Sequence, residues 1–374
     1  MISVYSLAAA VNESATGVQH SDVPAYEFAG SIIEACYEMD FNIMSESVEV
    51  DALMTMSNEI MAEAAVSNPS VIGVLQENVF TSVKDAIVKF FKKVIAAIKG
   101  IIEKLKVYFY KMTNKTDEWY KIMEPKVKAA AMRKGAAELT VEMYDWKSKF
   151  IIDELPKKAD KLVDAFKSHV STKAEKIDTA IFNKGRGASD EALQNDITEM
   201  KKEVEECEKD LAKDKVELLA SFGIGKSQDA KDVNTIVDDM ARGTSEKRVV
   251  KVMDKYSEML DTVKESKNAI EKMRKAYEKH EKDVTAIKDK IEKLSVDDSF
   301  TKAQNKERND ATKYNQAYAS ACVEVLQANL KYQKEMTAYV ERVLGTIKNK
   351  NIGYVQSMTQ DYMTALTKFA SVKK

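Results

Sequence analysis

The longest regular pattern of apolar residues in this chain lies between Val249 and Leu294. Fourteen positions follow one another there at alternating spacings of three and four residues, without a slip. They are Val249, Val252, Tyr256, Met259, Val263, Ser266, Ile270, Met273, Tyr277, His280, Val284, Ile287, Ile291 and Leu294. This heptad spacing is typical of a coiled-coil helix. It predicts a helix about 68 Å long at roughly 1.5 Å per residue.

Two of these heptad positions are polar. Ser266 is expected to fix the register of the helix against its neighbours, as single polar residues do in coiled coils. His280, with Glu278 and Glu281 beside it, is expected to be a packed histidine with a hydrogen-bonding partner. The alternative is a pH-sensing role, which would require the ring to lose its hydration when charged.

Similar patterns predict further helices. Residues 193–218 carry a second set of heptad positions. Residues 314–347 carry a helical pattern whose period lengthens from 3.5 toward 3.67 residues per turn. A short helix is expected within the glycine-containing break at residues 221–248, and a turn near residues 295–299. A separate last helix is expected over residues 355–369.

Residues 79–112 predict a cationic amphipathic helix with a wide apolar face. The face comprises Phe80, Val83, Ile87, Phe90, Phe91, Val94, Ile95, Ile98, Ile101, Ile102, Leu105, Tyr108, Phe109 and Met112. Eight lysines and only two acids occupy the rest of the helix. It is therefore a candidate contact surface, represented by Lys84, Lys89, Phe90, Phe91, Lys92, Lys93, Ile98 and Lys99.

Three interpretations of this helix follow from its pattern. Its apolar face is the core of a helical bundle, as wide apolar stripes usually are. Alternatively, the face enters a bilayer while the lysines meet anionic headgroups. In the third interpretation, the lysines contact nucleic-acid phosphates without recognising sequence.

Composition supports a helical protein. The 374 residues include only 4 Pro and 12 Gly, where average usage would give roughly 19 and 26. A sheet protein needs more turn formers than this. We therefore predict an all-α fold, an elongated helical bundle with long antiparallel coiled-coil helices. Pairing of the heptad positions between copies of the chain is the alternative.

Charge divides the chain unequally. Residues 1–78 contain twelve acids and no Lys or Arg. Because the whole chain has a net charge of −2, the remainder carries +10. We divide the chain into an acidic segment at 1–78, a basic helix with medium helices at 79–182, and a coiled-coil bundle at 183–374. Within the second part, Thr116 is expected to begin a helix as an N-cap, and Pro125 to mark a helix start or kink. The acidic segment is either a permanent docked domain or a removable pro-segment.

No motif predicts catalysis. Residues 220–227 end in Gly-Lys-Ser but begin with Ala220, so they lack the first glycine of a phosphate-binding loop. Gly223 and Gly225 are expected to end the preceding helix instead. The three histidines form no metal-binding motif with one another, and no nucleophile motif is present. The chain is therefore not expected to be an enzyme, and no cofactor or metal is expected.

No secretory signal is expected at the N-terminus, because its apolar run lacks a basic region before it. No stretch reaches the roughly 18 uncharged apolar residues of a membrane-spanning helix. The three cysteines are odd in number and widely separated in sequence, so they are expected to be free thiols, as in proteins of a reducing compartment.

The layout resembles virion structural proteins of large tailed bacteriophages, in particular internal head or core components. The resemblance rests on an acidic, Met- and Glu-rich N-terminus followed by a basic amphipathic helix and a long Lys/Glu-rich helical body. The basic helix contains Val83-Lys84-Asp85-Ala86-Ile87-Val88-Lys89-Phe90-Phe91-Lys92-Lys93-Val94. The resemblance covers the whole chain in layout, but only about residues 30–120 in character.

The resemblance also implies processing. Several such phages trim head proteins with a protease that cuts after Glu, often with a small or apolar residue two positions earlier. The matching sites here end at Glu49 and Glu59, and a weaker one ends at Glu63. Cleavage at these sites would remove most of the acids and leave a basic protein suited to lie against DNA.

The expected function is therefore that of a non-enzymatic phage head or core protein, located in the virion or the host cytoplasm. Its expected partners are other virion proteins or itself, with non-specific DNA contact by the basic remainder. The alternative function is a membrane-active helical protein, pore-forming or lipid-binding, that uses residues 79–112 on a membrane surface.

Overall fold

The computed structural model of the chain describes residues 47–55, 72–182, 190–220, 222–223, 230–243, 246–294 and 312–372. Seven helices account for most of these residues. Helix α1 spans residues 47–55. The others are α2 (Ile72–Ala130), α3 (Leu155–Phe182), α4 (Asp190–Ala220), α5 (Ala230–Arg242), α6 (Val252–Glu292) and α7 (Thr312–Ala370). The prediction of an all-α helical bundle is confirmed.

Helix α7 lies at the centre of the bundle. It packs against α2, α3, α4, α5 and α6, so most of its circumference is covered between Ala321 and Phe369. The prediction of two separate helices in this part of the chain is wrong, since α7 continues through Gly345 and Gly353. Its packing partners hold these positions in helical conformation against the low intrinsic propensity of glycine.

Helices α2 and α6 form the most extensive pairing. The Lys84 ammonium donates to the backbone carbonyl of Leu294 at 3.1 Å, near one end of the pair. Near the other end, Lys267 donates to Asp117 at 2.8 Å. Residues later in α2 therefore contact residues earlier in α6. The predicted α6 heptad positions from Val252 onward are buried or half-buried against these neighbours.

Helix α2 is longer than the predicted segment 79–112. Thr116 does not cap a helix as predicted, because its hydroxyl donates to the Met112 carbonyl at 2.9 Å in the helix interior. Pro125 also lies inside α2. The predicted N-cap is therefore wrong, and Pro125 does not mark a helix start. A Thr that returns its hydroxyl to the preceding turn is compatible with a continuous helix.

A two-stranded antiparallel sheet interrupts the helices. Strand β1 (Thr140–Met143) pairs with β2 (Arg248–Lys251), with Thr140 opposite Lys251 and Met143 opposite Arg248. Val249 was expected in the heptad pattern of α6, but it lies in β2 and is 66% exposed. The Leu139 carbonyl accepts a hydrogen bond from the Val252 amide at 3.1 Å, so the sheet sets where α6 begins.

The glycine after α4 ends that helix, as predicted. Gly223 has a φ of +83°, and its amide donates to the Ala220 carbonyl at 3.0 Å. This left-handed conformation is the usual helix C-terminal use of glycine. The predicted short helix after it is confirmed as α5. Gly225 and the predicted turn at residues 295–299 lie outside the described residues.

Among the helices described, none is both long enough and apolar enough to cross a membrane.

Candidate functional site: the docking site of the acidic helix

Helix α1 belongs to the acidic N-terminal segment and docks on the bundle. Val50 is 1% exposed and Met54 is 9% exposed. These two residues are four apart, so they lie on one side of the helix. Val48, in contrast, is 66% exposed. A short amphipathic helix therefore attaches the acidic segment to the body through a narrow apolar stripe.

A single buried lysine of α7 receives the polar side of this helix. The Lys334 ammonium is fully buried, donates to the Ser47 carbonyl at 3.2 Å and pairs with the Asp51 carboxylate. Its neighbour Glu335 contributes a carboxylate oxygen at 3.1 Å. A buried charge is tolerated only when it is paired and hydrogen-bonded, and α1 supplies two of these three contacts. We call Lys334 and these contacts the Lys334 docking site.

The surroundings of this site are basic. The Lys215 ammonium lies 3.7 Å from the other Glu335 oxygen. Burial lowers the pKa of Lys215, and the positive charges of Arg342 and Lys334 lower it further. Burial alone would raise the pKa of Glu335, but Lys334, Lys215 and Arg342 together hold it below its ordinary value. Glu335 therefore stays ionised, and the Asp51 carboxylate adds a second negative charge to a cationic patch.

The structure places one of the two predicted processing residues in this helix. The Glu49 side chain is exposed, although its backbone is helical and the next residue, Val50, is buried. Glu59 lies outside the described residues, as does Glu63. The docking site therefore adjoins the first predicted cleavage site directly.

The predicted contact helix divides into two sides. Phe90, Phe91 and Ile98 are fully buried in the core. The remaining apolar residues proposed for lipid entry, Ile95, Ile101 and Ile102, are also buried. The apolar face thus belongs to the bundle core, and entry into a bilayer would require α2 to leave that core first.

The lysines of the predicted contact surface are not equivalent. Lys84 is half-buried, with its ammonium on the Leu294 carbonyl. Lys92 and Lys99 are 63% and 64% exposed and lie 3.3 Å and 3.7 Å from Glu292 and Glu281 of α6, respectively. The remaining two, Lys89 and Lys93, are on the exposed side. Exposed pairs of this kind contribute little to stability.

His280 has the partner that was expected of a packed histidine. Its Nε2 lies 2.6 Å from a Glu341 oxygen of α7, and the Phe166 ring of α3 stands edge-on at 5.2 Å between centroids. Ser266 is fully buried and donates to the Val263 carbonyl at 2.8 Å. Ser266 and the Nε2 of His280 therefore have hydrogen-bond partners inside the bundle, whereas the buried Nδ1 of His280 has none among the described residues.

A second histidine lies between two carboxylates. His169 of α3 has its Nδ1 3.3 Å from Asp214 and its Nε2 3.8 Å from Glu217, both of α4. These three residue types are also metal ligands. Each ring nitrogen faces a different carboxylate, so the three side chains join α3 to α4.

Sequence patterns did not indicate the Lys334 docking site. A lysine in a Lys/Glu-rich helix is normally solvated, and no local signal distinguishes Lys334 from Lys331, which is 48% exposed. The acidic bias of the N-terminal segment was visible in the sequence, but it did not point to α7. Which lysine serves as the partner of α1 depends on the helices around it.

Comparison of the chain with protein-family models, with curated proteins and with solved structures finds no match.

Proposed function

We propose that this chain is a non-enzymatic structural protein of a bacteriophage virion, an internal head or core component whose acidic N-terminal segment is removable. The observation that carries the proposal is the attachment of α1. Two apolar side chains and the contacts to Lys334 hold this helix. Helices α2 to α7, in contrast, share an extensive core. Loss of the acidic segment would therefore leave that core in place.

Removal of the acidic segment would change the net charge of the protein. Cleavage after Glu59 would remove ten of the twelve N-terminal acids and shift the net charge from −2 to +8. A basic protein binds DNA non-specifically by displacing counterions from phosphates. Exposed lysines of α2, such as Lys92 and Lys99, are suited to that contact.

The architecture we propose is an elongated bundle of antiparallel coiled-coil helices. The order of contacts between α2 and α6 supports it, as do the heptad positions of α6. Helix α7 alone has 59 residues, which corresponds to about 90 Å. Such a rod would assemble with other virion proteins or with further copies of itself.

The deciding experiment is the intact mass and N-terminal residue of the protein from its natural source, in fractions separated by sedimentation. We expect the chain to sediment with virus particles and to begin directly after Glu49, Glu59 or another early Glu. A chain that begins at Met1 in those fractions would contradict the removal. A chain recovered only apart from particles would contradict the virion assignment.

DNA contact is tested separately on the processed protein. Two duplexes of unrelated sequence should bind equally, and the affinity should fall steeply with added salt. The unprocessed chain is the matched control and should bind more weakly, because its acidic segment repels phosphate. Equal binding by both forms would contradict this role for processing.

A further inference from the structure

The peptide bond after Glu49 lies within a helical turn while α1 is docked. The Glu49 carbonyl and the Val50 amide belong to a helical turn, and the Val50 side chain is 1% exposed. A protease acts on chain that is exposed and locally unfolded. A protease can therefore contact the exposed Glu49 side chain, but it cannot cut the Glu49–Val50 bond while α1 is docked.

We propose that α1 is a one-way latch, in which the Asp51–Lys334 pair must open before the bond after Glu49 is cut, and cutting prevents the latch from closing again. This inference rests on the proposed removal of the acidic segment. It adds the order of events and the residues that control them.

The opening step breaks the Asp51–Lys334 ion pair and uncovers Val50 and Met54. Lys334 has no exposed surface, and α1 provides the Asp51 carboxylate and the Ser47 carbonyl among its contacts. A buried ammonium that loses such partners must hydrate, so undocking exposes Lys334 to water. Asp51 therefore controls how often the bond after Glu49 becomes accessible.

The closing step fails after hydrolysis for a chemical reason. Water adds across the peptide bond, so that Glu49 gains a carboxylate and Val50 gains an amino group. With an ordinary pKa of roughly 7.7–8.0, this amino group is mostly protonated at neutral pH. The new positive charge lies on the residue before Asp51, the carboxylate that pairs with Lys334.

The cut also shortens the docking helix. Ser47 leaves with the N-terminal product, and only residues 50–55 remain of α1. Helices shorter than about 12 residues are marginal in water without tertiary contacts. Because the Ser47 carbonyl no longer accepts from Lys334 and a positive charge has been added, the remainder of α1 does not redock.

The latch is tested by limited digestion of the full chain with a purified glutamyl endopeptidase, followed by mass spectrometry of the Glu49–Val50 cut. We expect this bond to be cut at least about tenfold more slowly in the folded protein than in a synthetic peptide of residues 44–55. Asp51→Asn should accelerate the cut about fivefold or more. Asp85→Asn, an equal charge change at an exposed position of α2, is the matched control and should have no effect.

An apolar replacement of the pair provides the second variant. Asp51→Leu combined with Lys334→Leu should restore protection, because no buried ammonium is then left without its carboxylate partner. Circular dichroism of each variant verifies that the bundle is intact. Equal rates for folded protein and peptide, or no acceleration by Asp51→Asn, would overturn the latch.

The one-way property has its own measurement. After the cut, residues 50–55 should stay undocked and leave Lys334 exposed, so an amine-reactive reagent should modify Lys334 in the cut chain but not in the uncut chain. Equal protection of Lys334 in the two chains would overturn the one-way step. These results are independent of processing in the natural source, so failure of the latch and failure of the proposed function are distinguishable.

Discussion

The Nε2 of His280 lies 2.6 Å from Oε1 of Glu341, and the two side chains are 0% and 5% exposed. The pair joins α6 to α7 in the interior of the bundle. Buried polar groups are stable only as complete pairs, because removal of one partner leaves the other desolvated and unsatisfied.

This pair leads to a first prediction. Glu341→Met should destabilise the protein by about 1–3 kcal/mol, the usual cost of a buried polar group that has lost its partner. Adding His280→Leu should recover at least half of that loss, because no polar group then remains unpaired. Urea denaturation of the single and double variants measures both effects. Glu324→Met, at an exposed position of α7, is the control and should change stability by less than about 0.5 kcal/mol.

Lys348 leads to a second prediction, in which replacing a buried polar side chain should stabilise the protein. Its side chain is fully buried, and among the described residues its ammonium has no hydrogen-bond partner. It lies 5.8 Å above the Tyr277 ring. Replacing an unsatisfied buried ammonium by an apolar group of similar shape removes its desolvation cost. Lys348→Met should therefore stabilise the protein by about 1–3 kcal/mol.

A lysine two residues further on provides the control for that change. Lys350 donates to both carboxylate oxygens of Asp238, at 3.0 Å and 2.8 Å. Lys350→Met should therefore destabilise the protein, in contrast to Lys348→Met. Equal effects of the two substitutions in thermal denaturation would contradict the role assigned to the missing hydrogen bond.

The core interpretation of α2 makes a third prediction. Phe90 is fully buried, so Phe90→Ala should cost about 3–5 kcal/mol through reduced burial and a residual cavity. Val107 lies on the same helix but is 43% exposed, and Val107→Ala should cost less than about 0.5 kcal/mol. Chemical denaturation of both variants separates a core face from an exposed one.

Asp361 makes stability depend on pH. Burial raises the pKa of this carboxyl, even though the Trp146 indole donates to it at 2.8 Å. An acid whose folded pKa is raised binds its proton more tightly when folded. Its ionised form therefore disfavours folding above the folded pKa, and this cost disappears as the pH falls below the ordinary Asp value near 3.8.

Asp361→Asn should consequently stabilise the protein at pH 7, because the amide oxygen still accepts from Trp146 without a buried charge. The gain should shrink as the pH is lowered toward 4. Urea denaturation at pH 7 and pH 4 measures the difference. Asp361→Ala is the comparison, and it should be less stable than Asp361→Asn because it leaves the indole N–H without its acceptor. A gain that is independent of pH would contradict the explanation by charge.

The candidate site was only partly predictable. The division between acidic and basic parts of the chain is a property of composition, and it pointed to an acidic segment with a basic partner. Glu49 was selected from its tripeptide. The docking residue Lys334 was not selected, because a lysine flanked by Gln333 and Glu335 has the local pattern of a solvated helix position.

Local sequence by itself determined the helices and most of their apolar faces. The spacing of apolar residues in α2 and α6 is a property of each helix alone, so the sequence grouped Phe90, Ile98 and Met273 on apolar faces, which the structure buries. Scarcity of Pro and Gly determined the fold class for the same reason.

Only the tertiary structure decided the environment of α7. Helices α2 to α6 surround it and α1 docks on it, so polar residues such as Lys334, Glu341 and Lys348 are buried although none fits an apolar pattern. Likewise, pairing with β1 places Val249 in a strand instead of extending α6. The burial of a charged side chain depends on neighbours that are distant in sequence, and the periodicity of a single helix carries no information about those neighbours.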